Sequence, residues 1–148
     1  MRMLILAAAL APWPVLAQDT VVLPVKLLDT SNEARDQQAD HARRQDLMGD
    51  TLARALSAER VAPGDVAAAC PRETTECLVT LLRDRDADRG LFVVVQKTST
   101  LILQVFADLV DVNDEKLVRH AELSFRGDND DSWQRAADFL VGQLTRPD

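Results

Sequence analysis

The stretch Leu101–Arg126, LILQVFADLVDVNDEKLVRHAELSFR, decides how this chain folds. It holds two β-branched and apolar runs, Leu101 to Val112 and Lys116 to Arg126, around a polar centre, as a β-hairpin requires. If the runs pair so that residue numbers sum to 228, Leu101, Leu103, Val105, Ala107 and Leu109 share one face with Leu117, Ala121, Leu123 and Phe125. Only Arg119 interrupts that apolar face. A slip of one residue would mix polar and apolar side chains on both faces, which burial disfavours. The other face carries Ile102, Gln104, Phe106, Asp108 and Val110 against Val118, His120, Glu122, Ser124 and Arg126. This mixture suits a contact surface better than a core.

Outward from the hairpin, Leu91 to Lys97 reads as a strand buried on both faces. Thr20 to Leu28 is a further strand, and Pro24 places it at an edge or on a bulge. Helical periodicity covers about Asp40 to Ala58, where Leu47, Met48, Leu52, Ala55 and Leu56 share a face. Pro63-Gly64 reads as the end of that region. A second helix covers about Glu73 to Arg85, with Gly90 as its closing glycine. Trp133, Ala136, Ala137, Leu140, Val141 and Leu144 define a last amphipathic helix. The order is β-α-α-β-β-β-α. The expectation is an α+β domain, a mostly antiparallel sheet with helices packed on one face.

The chain has 148 residues, enough for one core, and a formal net charge of -7. An acidic chain without tyrosine is a poor partner for nucleic acid, for an anionic membrane surface or for stacked bases. The start, MRMLILAAALAPWPVLAQ, has a basic residue, a short apolar run and small residues before Gln18, the pattern of an export signal cleaved after Ala17. The apolar run falls short of the roughly 20 residues that span a bilayer. Residues 1–17 are thus expected to be the signal and 18–148 a single periplasmic domain, with no membrane insertion after cleavage. In an oxidising compartment Cys70 and Cys77, framing CPRETTEC, are expected to form a disulfide.

Three patterns invite a chemical reading. Asp108 and His120 fall opposite each other in the hairpin register, where a carboxylate would raise the imidazole pKa. No other catalytic constellation accompanies them, and the pair reads as ordinary cross-strand chemistry, so no enzyme activity and no cofactor are expected. Asp111 to Glu122 has acidic residues at several calcium-loop positions. Lys116 stands where such a loop needs glycine, so a hairpin turn is the reading. In FRGDNDDSW, Phe125–Trp133, Gly127 permits a turn, and Asp130 or Asp131 can cap the following helix. Asp128 and Asp130 could also serve a hard cation such as calcium.

The segments KLLDTSNEARDQ, VVQKTSTLILQV and SFRGDNDDSWQRA, in this order, resemble a family of exported proteobacterial proteins of unknown function. The resemblance spans nearly all of the chain after the signal. It implies an architecture similar to the N-terminal domain of the periplasmic protein TolB, and no activity. Its motif positions include Asp29, Thr30, Ser31, Gln96, Lys97, Ser99, Arg126, Gly127, Asp130, Ser132 and Trp133. Glu115 stands where the family's hairpin usually has glycine. Polar groups at the end of a buried strand need partners. Asp29, Thr30, Ser31, Gln96, Lys97 and Arg126 are therefore expected to form a polar patch at one sheet end. The functional expectation is a periplasmic binding or accessory domain that contacts a protein partner or itself through Ile102, Phe106, Asp108, Val110, His120 and Glu122. The alternative is a small-ligand or cation binder using residues 128–131.

Overall fold

In the computed structural model, residues 19–147 are described. The expected signal and its cleavage point lie outside them. Ten elements follow one another: β1 (Thr20–Val22), β2 (Lys26–Asp29), α1 (Gln38–Ala55), β3 (Glu59–Arg60), α2 (Pro63–Ala69), α3 (Thr75–Asp84), β4 (Arg89–Lys97), β5 (Leu103–Asp111), β6 (Lys116–Phe125) and α4 (Asp130–Leu144). The class is α+β. The six-stranded sheet has the order β3-β1-β4-β5-β6, with β2 also paired to β4. The long ladders β4–β5 and β5–β6 are antiparallel. The short pairings of β1 and β2 on β4, and of β1 on β3, are parallel.

The hairpin pairs as its apolar pattern demands: Leu103 faces Phe125, Ala107 faces Ala121 and Asp108 faces His120. Beyond Leu109–Arg119 the register shifts, and Val110 faces Leu117. Val118 is the extra residue of a bulge in β6. The shift carries Leu117 to the same side as Val110, which explains why this leucine, expected in the core, is 59% exposed. The turn beyond it is closed by Asp111, whose carboxylate accepts the backbone N–H groups of Asn113 and Asp114. Glu115 has φ of 54°, the left-handed conformation that favours glycine at this position.

Two apolar clusters hold the layers together. One joins Leu91, Val93, Val95, Leu103, Val105 and Ala107 of the sheet to Met48 and Leu52 of α1 and Trp133, Ala137 and Leu140 of α4. The other joins Val21, Leu23 and Val61 to Val66 of α2 and Val79 and Leu82 of α3, with Phe92 packed against it. Leu91 and Phe92 are adjacent on β4 and point to opposite faces. The helices therefore cover both faces, contrary to the one-face expectation. α1 and α4 pack on one side, while α2 and α3 pack on the other near β1, the start of β4 and Val112 just after β5. Among the described residues no helix lies over the rest of that second side, on β5 and β6; α3 reaches only its rim, where Arg83 donates to the Val112 carbonyl and to Glu115.

Local details explain the other departures from expectation. Pro24 lies between β1 and β2, so the expected single strand becomes two short ones on the same neighbour. Gln45 donates to the Val25 carbonyl at this break. Pro63 does not end a region but opens α2, at the first helical position, where its missing N–H costs nothing. Gly90 is not a helix cap. It lies in β4, and a Cβ there would come within 2.4 Å of Leu82, so glycine lets α3 approach the sheet. Cys70 at the end of α2 is bonded to Cys77 in the first turns of α3. Arg119, the polar exception on the apolar face, donates to the carbonyls of Gln143 and Arg146 at the end of α4. That end is where a cation offsets the helix dipole.

Candidate functional site

Two surfaces carry the polar chemistry: a buried ionic cluster at one end of the sheet, and the helix-free face of β5 and β6.

The cluster grows from the last residue of β4. Alternation directs Lys97 to the same side as Val93 and Val95, so its ammonium enters the layer between sheet and helices. The Lys97 side chain is wholly buried. Its Nζ lies 2.8 Å from Asp128, 3.1 Å from Glu33 and 3.7 Å from Asp29, and donates to Gln37 at 3.2 Å. A buried ammonium requires such partners. Its pKa is nevertheless raised: burial disfavours the charge, but hydrogen bonds to Asp128 and Glu33 prevail.

Asp128 is the centre of the cluster, and its side chain is also wholly buried. One oxygen accepts from Lys97 and stands 2.8 Å from His41 Nε2. The other accepts from Arg44 Nη1 and from the indole N–H of Trp133, both at 2.9 Å. Burial alone would raise its pKa. The hydrogen bonds from Lys97, His41 and Trp133, with the charge of Arg44, instead lower it to about 2. Glu33 is likewise lowered to about 2, first by its hydrogen bond from Thr100 and then by those from Gln37 and Lys97. Asp130, at the first turn of α4, takes Arg43 and Arg44, with oxygens 2.9 to 3.2 Å from their guanidinium nitrogens.

Local sequence explains this convergence. Gly127 takes φ of 89°, and a Cβ there would meet Asn129 Nδ2 at 2.7 Å. The turn it permits points Asp128 inward and leaves Asn129, not an aspartate, as the cap of α4, accepting from Ser132 N–H. Trp133 is fully buried and packs edge-to-face on Phe125 at 6.0 Å. On the other side, Thr30 donates its N–H and its hydroxyl to the Lys97 carbonyl, and Ser31 donates both of its groups to Asp29. Asp29, Thr30, Ser31 and Lys97 thus meet at one sheet end. Gln96 lies on the opposite face of β4, and Arg126 is exposed just beyond β6.

His41 and Arg44 are the partners that sequence reasoning missed. They share the helical face of Met48 and Leu52, at spacings of three, four and four, and all four are buried. A histidine and an arginine continuing an apolar helix face are the signal that could have found them. The cluster ties the end of β2, the start of α1, the end of β4 and the start of α4 together. Asp128 and Asp130, the candidate cation ligands, each face the protein's own cations, which already take the lone pairs a metal would need. Among the described residues no group of three or more metal-ligating side chains converges.

The helix-free face is built differently. Phe106, Asp108 and Val110 of β5 stand beside Leu117, His120 and Glu122 of β6. His120 Nδ1 lies 2.5 Å from Asp108 and Nε2 3.5 Å from Glu122, with all three side chains about half exposed. The hydrogen bond to Asp108 raises the imidazole pKa; burial opposes the rise, and the hydrogen bond to Glu122 reinforces it. An open cleft of about 440 Å³ between α3 and β5 has Phe92, Val79 and Val110 among its walls. Ile102, just before β5, is 53% exposed. No helix among the described residues is long and apolar enough to cross a membrane.

Comparison with solved structures finds the same fold in other bacterial proteins. A putative neuraminyllactose-binding hemagglutinin homolog from Helicobacter pylori is similar over 95% of this chain and 90% of its own, with a TM-score of 0.58 at 8% identity. The PelC dodecamer from Paraburkholderia phytofirmans is similar over 88% of each chain, with a TM-score of 0.53 at 18% identity. TolB from Acinetobacter baumannii is similar over 86% of this chain but only 28% of its own, with a TM-score of 0.51 at 10% identity. The last match agrees with the TolB-like architecture expected from sequence. At such identities the likeness is one of fold. No curated protein sequence matches the chain. A family model described as "Protein of unknown function (DUF2380)" matches residues 18–144, and the chain therefore belongs to that family, DUF3280.

Proposed function

We propose that this protein is a non-catalytic binding domain of the bacterial envelope, acting by protein–protein contact through the helix-free face of β5 and β6. The observation that carries this reading is the composition of that face. Leu117 and Ile102 are more than half exposed, and with Phe106 and Val110 they surround the Asp108–His120–Glu122 group. Apolar side chains interleaved with a few charges form the usual centre and rim of a protein interface. The fold likeness to PelC, solved as a dodecamer, supports a domain that works by assembly. The export signal expected in residues 1–17 supports the periplasm as its place. Non-catalysis is supported by the Asp108–His120 pair itself, which is half exposed on an open face.

The test is capture from the native bacterium. The tagged protein is cross-linked lightly in the envelope and its companions are identified. The reading predicts a stoichiometric partner that is lost in Phe106→Glu while the variant keeps its melting temperature. Equal capture by Phe106→Glu and the parent protein would contradict it. Cation binding by residues 128–131 is not favoured, because Arg43, Arg44, Lys97 and His41 already occupy the Asp128 and Asp130 carboxylates.

A further inference from the structure

We infer that two copies of this chain associate edge to edge, β6 against β6 in antiparallel pairing about a two-fold axis at Ala121, with the two α4 helices side by side above the junction. This goes beyond the proposed contact face: it uses the free backbone edge of β6 and the outer side of α4, and shares with that face only His120 and Glu122.

The sheet's two edges differ. On one side it ends in β3, two residues long, and in β2, four residues long and preceded by Pro24. Short strands and proline are how proteins blunt an edge. On the other side it ends in β6, ten residues long, without proline or glycine and paired only with β5 among the described residues. Its single irregularity, at Val118, leaves Arg119 to Phe125 as a regular strand. Such an edge presents a row of backbone donors and acceptors suited to another strand.

The register follows from charge and from the helix above. A pairing centred on Ala121 sets His120 opposite Glu122 of the other copy, twice, on the open face. Centring on Arg119 or Glu122 would put like charges face to face. On the covered face, α4 runs antiparallel to β6: Arg119 reaches the carbonyls of Gln143 and Arg146, and Phe125 packs on Trp133. Ala121 lies two strand residues from Arg119, about 7 Å. That is about four helical residues back from Gln143, which brings Phe139 over Ala121.

Phe139 is 43% exposed. Gln134 hydrogen-bonds Thr51 and so faces α1. Phe139, five residues later, is turned about 140° from it, away from α1 and toward the β6 edge. One two-fold axis thus satisfies the open edge, pairs His120 with Glu122 and covers the exposed phenylalanine. It also places both helix-free faces on the same side of one continuous sheet.

The purified exported protein, examined by sedimentation equilibrium, is expected to have twice the chain mass. Phe139→Asp, at an exposed position, should return it to the monomer with an unchanged melting temperature. Glu122→Lys should weaken the dimer at least tenfold. Ala121→Cys should yield a covalent dimer on mild oxidation, because facing residues of an antiparallel pair lie about 5 Å apart at Cα, within disulfide reach. Ser124→Cys, which faces Val118 and not its own copy, should not. Phe106→Glu should leave the dimer intact, which separates this inference from the proposed contact face. A monomer in the parent protein would overturn it, as would a dimer unaffected by Phe139→Asp.

Discussion

Lys97 and Asp128 at one end of the sheet are withdrawn entirely from water, whereas Asp108 and His120 on its open face stay about half exposed. Both regions set a basic group against carboxylates at hydrogen-bonding distance, yet the physics differs. In the buried cluster Lys97 and Asp128 have given up water for partners drawn from four segments of chain. Removing one partner strands the others in a low dielectric. On the open face the same contact is screened by solvent and contributes little to the fold. The difference teaches that the buried charges specify the structure, while the exposed ones remain available to something outside it.

The largest break in this comparison should come from Asp128→Ala. It leaves Lys97, His41, Arg44 and the Trp133 indole without their common acceptor, and should cost about 3–5 kcal/mol in chemical denaturation. Acid should act on the same group. Its folded pKa, about 2, lies below the ordinary value of 3.8, so its contribution is complete above that ordinary value. It is lost as the pH falls from there through about 2, and the Asp128→Ala variant should show a flatter acid limb. Gly127→Ala should cost about 1–3 kcal/mol, from left-handed strain and the close approach to the Asn129 cap.

On the open face the effects on stability should shrink. His120 has a raised pKa, so its contribution is present below 6.5 and declines as the pH rises through its folded value. His120→Gln should remove this slight decline and leave the rest of the pH profile unchanged. Phe106→Glu, finally, should change stability by no more than about 0.5 kcal/mol, as for a surface substitution. A large loss there would make the face part of the core and erase the contrast.

The hairpin and its register were legible from sequence because parity in a strand is rigid: one apolar set must face inward, and a single pairing achieves this. The bulge at Val118 was not, since the apolar run Leu117-Val118 suits either face. β3 is too short to carry a periodic signal. α2 was hidden because Pro63-Gly64 reads as a stop, although proline equally opens a helix. Half of the ionic cluster was legible. Lys97 stood out as a charge ending a buried strand, and Asp29 to Ser31 as a loop able to meet it. Its other half was not, because His41 and Arg44 look like ordinary polar residues of a surface helix until their spacing to Met48 and Leu52 is counted. Arg119 looked like a flaw in the apolar face only because its partners, the last carbonyls of α4, are remote in sequence.

The most direct test sets Lys97→Met against Phe106→Glu, measuring for each the melting temperature and the capture of a cross-linked partner below that temperature. The account predicts that Lys97→Met melts about 10 °C lower, from loss of a buried ion pair worth about 3 kcal/mol, yet still captures the partner while folded. It predicts that Phe106→Glu melts with the parent protein and captures nothing. Loss of the partner by folded Lys97→Met, with capture retained by Phe106→Glu, would place the binding site at the ionic cluster and contradict the account.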